Sequence, residues 1–383
     1  MRELSPVQVP MLMQLAVLLL LLCAATMLTR SAAYAADTPA ATSTREAPAV
    51  ATSAAAPEKE AESPWLVLPT LSSNPKLGTS LGALAAYLHY FDEQSQVSMF
   101  GASAQYTSTN SIVGALFAKA SFDADHQRLI ALAAGGLIKN DYNDYLGTGK
   151  PLKSEDNLRA IVSRYLYRVK GDWFAGLQGA FTNYQIVGQT LLDEQTLDDL
   201  GVTGFRSGGI GAALYHDSRD NDNSPTRGWL MNLNNVAYRD WLGGKDNFDV
   251  YRLDLRGFWE HGQGNVFTAR QSNQWTVDAP LSANAPVVLR GYKMGQYLGK
   301  YMSSIEGEER LHLAKSWGAT LFYGIACLYG NGEECSDSAN RFPSWGVGIQ
   351  YIVKQKEGIV ANLEYAEGKW DNYGIYLKLG YGY

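Results

Sequence analysis

Long apolar runs are scarce in this chain, and that scarcity excludes a helical membrane protein. One run, LAVLLLLLCAATML, lies near the start; no other segment approaches the roughly 20 apolar residues a helix needs to cross a bilayer. Cysteine is scarce too, with three in the whole sequence. Cys23 follows Leu22 rather than a small residue, which argues against a lipoprotein-type site. Cys327 and Cys335 either pair across the stretch YGNGEEC or stay free thiols, and nothing near them has metal-ligand spacing, so no metal and no cofactor is expected. An excess of basic charge is also missing. Lys and Arg number 32 against 38 Asp and Glu, for a net charge of −6 with no basic stripe, which excludes nucleic acid as a partner.

The apolar run follows Arg2 and ends in Ala33-Tyr34-Ala35, a small-x-small exit, so residues 1–35 are expected to be a cleaved signal peptide. Its removal leaves 30 cations against 37 carboxylates. Residues 36–63 are Ala, Pro, Thr and Glu with almost no large apolar side chain. Such a segment cannot bury enough surface to offset its ordering entropy, and a flexible periplasmic linker is expected there. The folded domain is expected over 64–383.

Aromatics and glycine are abundant: 23 Tyr, 9 Trp and 38 Gly. Tyr and Trp concentrate at membrane–water interfaces, where the ring is apolar and its tip polar. The texture from Pro64 onward is short alternating runs. In the closing stretch Tyr373, Ile375, Leu377, Leu379, Tyr381 and Tyr383 share one face. Tyr251, Leu253, Leu255 and Trp259 oppose Arg252, Asp254 and Arg256; Ile359, Ala361, Leu363 and Tyr365 oppose Asn362 and Glu364. Period two marks strands. With one apolar face on nearly every strand and no helices to cover them, the pattern implies a transmembrane barrel, apolar outside and polar within. Sixteen antiparallel strands can be counted, the first near 65–72, the last near 373–383, with 302–313 and 317–328 between. Tight turns such as DADH and KGD alternate with long loops such as KNDYNDYLGTGKPLKSED and QIVGQTLLDEQTLDDLGVTGFR, as short periplasmic turns and long outer loops do. A bacterial outer-membrane location, in contact with its lipid, follows.

The eleventh and twelfth strands are separated by a loop holding VVLRGYKMGQY, residues 287–297. Leu289-Arg290-Gly291-Tyr292 resembles the Arg-Gly-aromatic tip on the sixth outer loop of the BamA/TamA-type outer-membrane assembly factors, the bacterial surface-antigen barrels. GGIGAALYHDSRDNDNSPTRGW resembles that family's Gly-rich strand, acidic turn and Pro-x-x-Gly exit, through Tyr215, Asp217, Arg219, Asp220, Asn221, Pro225, Arg227 and Gly228. Glu308-Glu309-Arg310 resembles its Glu-aromatic-Arg. The resemblance implies a loop folded into the barrel and outer-membrane protein assembly or polypeptide translocation through a seam between first and last strands. Residues 36–63 leave no room for a POTRA module, so a periplasmic partner would supply that part. The alternatives are a loop-occluded pore for small solutes and a structural or adhesive surface antigen.

A guanidinium in a lumen of limited water needs a fixed anionic partner. Glu306 and Glu308 share the inward face of the next strand, and Glu308 matches the family position for holding Arg290. Gly291 permits close backbone approach and Tyr292 can pack on the wall. Gly324 stands where the family has a second anchoring Asp, leaving an anchor that is weaker or rests on Glu308 alone. In the acidic turn, Asp217 and Asp220 are expected to bond local amides and to pair with Arg219 or Arg227 in a solvated hairpin; calcium-loop spacing fails at Arg219. Gly78-Thr79-Ser80-Leu81-Gly82 matches G-x-S-x-G but enters a strand, not a strand-to-helix elbow. His89, His126, His216, His261 and His312 are scattered with no nucleophile beside them, so no enzyme is expected.

Overall fold

The computed structural model describes residues 63–379, apart from 75–77, 143, 201, 203 and 356–357. The expected signal segment, the linker up to residue 62 and residues 380–383 lie outside the described residues. The strands run β1 (Trp65–Asn74), β2 (Gly78–His89), β3 (Ser98–Thr107), β4 (Ile112–Phe122), β5 (Gln127–Tyr142), β6 (Leu152–Lys170), β7 (Trp173–Gly188), β8 (Phe205–Asp217), β9 (Gly228–Tyr238), β10 (Phe248–His261) and β11 (Asn265–Val277). Two short strands, β12 (Ala285–Pro286) and β13 (Leu298–Gly299), pair with each other inside the next loop. Then come β14 (Tyr301–Ala314), β15 (Trp317–Tyr329), β16 (Arg341–Lys354), β17 (Ile359–Gly368) and β18 (Tyr373–Leu379).

All but β12 and β13 form one closed antiparallel sheet, the sixteen-stranded barrel expected from the alternation. Neighbours in sequence are neighbours in the wall, except that β14 follows β11 across the loop. Ten residue pairs join β1 to β2, whereas Ser73 with Ile375 is the pair that joins β1 to β18 among the described residues. Connections 123–126, 171–172, 218–227, 262–264 and 315–316 lie at one end of the barrel, here the turn end; 143–151, 189–204, 239–247, 278–300 and 330–340 lie at the other, the loop end.

The outward face carries exposed Ile112, Leu116, Ile161, Leu177 and Val347. Aromatic pairs ring both ends. Trp65–Tyr87, Trp259–Phe267 and Trp317–Tyr351 lie toward the turn end, at centroid separations of 5.2, 6.0 and 4.9 Å; Tyr301–Tyr329 lies toward the loop end at 5.4 Å. This is the girdle arrangement of a barrel whose outer belt meets lipid.

Three expectations need correction. A helix, α1 (Leu191–Asp199), stands in the stretch expected to be irregular, started by a capping box in which Thr190 and Asp193 satisfy each other's amides at 3.1 and 3.2 Å. Its Leu197 packs with Tyr142, Tyr145, Leu152 and Val202. The lumen is not polar throughout. Ile130, Leu132 and Val162 face it with 42%, 39% and 39% of their surface exposed, and Leu66, Ala86, Leu88 and Val97 form a buried cluster on the same side. Ile359, expected on the lipid face, belongs to that cluster instead. The β16–β17 pairing shifts register between Ile352 and Lys354, opposite Ile359, and a one-residue slip reverses the face a side chain occupies.

Candidate functional site

The sixth loop, 278–300, carries its arginine onto the wall. Arg290 donates from Nη2 to Glu306 Oε1 at 2.7 Å, and from Nη1 to Glu308 Oε2 at 2.7 Å and Glu364 Oε2 at 3.1 Å. Its guanidinium carbon lies 3.3 Å from the Phe322 ring centre. The alternation of β14 turns Glu306 and Glu308 inward together, and that of β17 turns Glu364 inward between exposed Leu363 and Tyr365. Arg310 Nε donates to Glu308 Oε1 at 2.9 Å, and Lys378 Nζ to Glu364 Oε2 at 2.9 Å. Three cations thus face three carboxylates, all buried or nearly so, and the cluster is neutral. Neutrality matters because an unpaired charge at this depth costs several kcal/mol.

The backbone around the arginine is held as tightly. Gly291 has φ +92°, and a Cβ there would stand 3.0 Å from the backbone of Glu367 and Gly368. Gly291 N donates to Tyr376 Oη at 3.0 Å, and Ser344 Oγ donates to Arg290 O at 2.5 Å. Tyr292 Oη donates to Pro343 O at 2.5 Å and accepts from Lys369 N at 2.9 Å, with its ring over Gly368 and edge-on to Phe342. On the far side Lys293 Nζ reaches Asp141 O at 2.6 Å, and Gln296 Nε2 reaches Asp144 O at 3.0 Å. The loop therefore touches β14–β18 at one side and the β5–β6 connection at the other.

Glycine at 324 does not leave Arg290 on Glu308 alone. Gly324 is the cross-strand partner of Glu306, and a Cβ there would lie 3.1 Å from Glu306 Cβ. The missing side chain makes room for Glu306, which with Glu364 supplies the further carboxylates. Glu309, on the outward register, pairs with His261 Nε2 at 2.8 Å.

The turn 218–227 is the second feature. It is the expected hairpin on its outer side, where Asp220 and Arg227 are exposed, but Asp217 is buried. Asp217 accepts from Arg219 Nε at 2.7 Å and from Arg128 Nη1, on β5, at 2.6 Å. Asp222, which the motif reading missed, pairs with Arg219 at 2.9 Å and with Lys119 of β4 at 2.6 Å. Asp220 accepts from the amides of Thr226 and Arg227 at 2.8 and 3.2 Å, while Arg227 pairs with Glu260 rather than with either aspartate. Asn221 caps the amides of Asn223 and Ser224, both at 2.8 Å. Tyr215 Oη lies 3.5 Å from Arg219 Nη2. Pro225 O accepts from Arg310 Nη1 at 3.1 Å. Gly228, at φ +95°, closes the turn where a Cβ would stand 2.1 Å from Ser218 O. Burial would raise the Asp222 carboxyl, but Lys119, Arg219 and Arg128 together hold it well below the usual range. For Asp220 the same burial is overcome by the Thr226 hydroxyl and the two amides, and its pKa is lowered.

Cys327 and Cys335 are joined by a disulfide at the loop end. Ser80 sits buried inside β2, with no elbow around it. His216 stacks on Trp229 with centroids 3.8 Å apart, and His89 lies edge-on to Phe91 at 4.7 Å, so both are packing groups of the turn-end girdle. Glu364, Asp222, Lys119 and Arg128 are the groups that sequence reasoning missed. Each is a single charge at alternate spacing in a strand, or in a turn already rich in aspartate.

No protein-family model and no curated protein matches this sequence. Among solved structures the chain is similar to BamA from Haemophilus ducreyi lacking POTRA domains 1–3, with TM-score 0.52, 12% identity, and 83% of this chain and 69% of that one covered. It is also similar to CdiB from Escherichia coli (TM-score 0.54, 11% identity, 83% and 63% covered) and CdiB from Acinetobacter baumannii (TM-score 0.53, 10% identity, 82% and 59% covered). The chain spans less than two thirds of either CdiB. The likeness is one of fold, and it bears out the outer-membrane barrel that the resemblance implied.

Proposed function

We propose that this protein is an outer-membrane barrel of the BamA/TamA type that acts on polypeptides, in outer-membrane protein assembly or translocation, with a periplasmic partner supplying capture of the substrate. The observation that carries this reading is the seating of Arg290 on Glu306, Glu308 and Glu364, which ties the sixth loop to the wall beside the last strands. A neutral six-charge cluster suits a loop that must stay seated while the wall beside it parts. The first and last strands meet through Ser73 and Ile375 among the described residues, close to the wall that carries Glu364, and that seam is where the reading is tested.

The test uses the full chain in liposomes with a Ser73→Cys/Ile375→Cys pair, in a Cys327→Ser/Cys335→Ser background. An unfolded eight-stranded outer-membrane barrel polypeptide is delivered from urea. Its insertion is expected to be faster than into protein-free liposomes, to stop when the new pair is oxidised, and to recover on reduction. Insertion no faster than into protein-free liposomes would sink the assembly reading. Steady currents through the locked barrel, with insertion unaffected, would favour the solute pore.

A further inference from the structure

The lumenal arginines divide into two kinds. Arg128, Arg168, Arg219, Arg256, Arg270, Arg290 and Arg310 each rest on a carboxylate. Arg164 and Arg252 do not. Arg164 donates from Nε to Gln178 Oε1 at 2.8 Å and from Nη1 to Asn232 Oδ1 at 2.9 Å; Arg252 donates from Nε to Gln274 Oε1 at 3.1 Å. Amide oxygens orient a guanidinium without neutralising it.

The two arginines belong to one belt. Gln178 Nε2 donates to Asn234 Oδ1 at 3.0 Å, and Asn234 Nδ2 to Asn232 Oδ1 at 3.1 Å. Asn232 receives Arg164, and Asn234 is the cross-strand partner of Arg252. Beside them Asp254 is shared by Arg256 and Arg270, and Arg270 also stands opposite Glu306, so the positive charge without a carboxylate is that of Arg164 and Arg252. Asn232, Asn234 and Arg252 of this belt, with Asp254 and Arg270, form the floor of a cavity of about 520 Å³ between β9–β11 and the sixth loop. Its other wall is apolar: the stacked pair Tyr238–Phe248, with Val250, Val288, Met294 and Met302.

We infer that this cavity is a binding site for a small organic oxyanion, its charged head on the Arg252–Asn232–Asn234 floor and its apolar body under the sixth loop. Surplus guanidinium charge in a confined space is costly unless an anion or much water meets it, and Arg presents its donors in a fork that matches carboxylate and phosphate alike. The volume lies in the usual range for a small-ligand pocket. The lining fits neither a cation, which the arginines repel, nor a plain sugar, which has no use for the surplus charge. The inference does not depend on the polypeptide-handling role.

The test is titration calorimetry on the full chain in neutral detergent micelles, with benzoate, benzamide and inorganic phosphate as probes. Benzoate is expected to bind saturably at one site, with benzamide weaker by about tenfold or more, the loss of a charge-assisted pair. Inorganic phosphate is expected to bind more weakly than benzoate, and Arg252→Gln to weaken benzoate by about tenfold. Equal binding of benzoate and benzamide, or none by either, would overturn the proposal on the unmodified chain alone. Phosphate binding as well as benzoate would remove the apolar part of the claim. The variant is read only where its unheated gel mobility shows a folded barrel, and unchanged benzoate affinity in it would also overturn the assignment.

Discussion

Glu308 receives two guanidinium groups at once: Arg290 from the sixth loop on one oxygen, and Arg310 of its own strand on the other, at 2.7 and 2.9 Å. Arg310 in turn donates to Pro225 O in the turn 218–227. One carboxylate therefore lies in a continuous chain of bonds between segments from opposite ends of the barrel.

We predict that Glu308→Gln loosens both segments. Removing one partner of a buried ion pair costs about 3–5 kcal/mol, so the unfolding temperature should fall and amide exchange should rise in 289–292 and in 224–227 together. Exchange that rises in the loop alone would show that the two ends are not coupled through this residue.

Gly324→Asp should destabilise the barrel rather than strengthen the anchor. The new side chain meets Glu306 at 3.1 Å and Ile305 O at 3.0 Å, and overpacking of this kind costs about 1–3 kcal/mol. Adding Glu306→Gly should recover part of that loss, since it removes the Cβ and Cγ the new side chain meets and the carboxylate then returns from the neighbouring strand. Thermal unfolding of the single and double variants decides it; a double variant no better than the single removes the space argument.

The disulfide closes a short loop, with a sequence separation of 8 between Cys327 and Cys335. Constraint of the unfolded chain on this scale is worth about 2–3 kcal/mol. The Cys327→Ser/Cys335→Ser chain should lose about that much in denaturant unfolding while keeping the Arg290 contacts. A change in exchange at 289–292 in that variant would contradict the second half.

Acid should act first on the turn 218–227. Asp220 and Asp222 both have lowered pKa values in the fold, so their contribution is fully present above the ordinary aspartate value, near 4, and is lost as pH falls below it. Exchange at the amides of Thr226 and Arg227, corrected for intrinsic rates, should stay flat from pH 7 to about 5 and rise below about 4. A rise already at pH 6 would point to a histidine instead.

The strand order and most strand limits could be read from alternation, because a wall with lipid on one side forces period two. β17 shows this well, with outward Leu363 and Tyr365 against inward Asn362 and Glu364. Alternation fails where both faces are apolar. Along Leu129-Ile130-Ala131-Leu132 no pattern separates lipid from lumen, which is why the apolar sector was not foreseen. The helix at Leu191–Asp199 did have a signal, Thr190 three residues before Asp193, but one capping box between strands is easily taken for a turn. Glu308 was legible because three motifs fixed its place. Glu364 was not, since one carboxylate between Leu363 and Tyr365 has the same pattern whether it meets water or an arginine.

The lopsided lining has a consequence for anything that moves inside the barrel. Water beside Leu132 and Val162 finds few hydrogen-bond partners, whereas the arginine–amide belt begins one pair further along the same two strands, at Arg164 opposite Ile130. The wetting of the wall thus changes within a single strand pair. An ion crossing would keep to the belt, and an extended chain lying along β5 and β6 would meet both kinds of surface side by side.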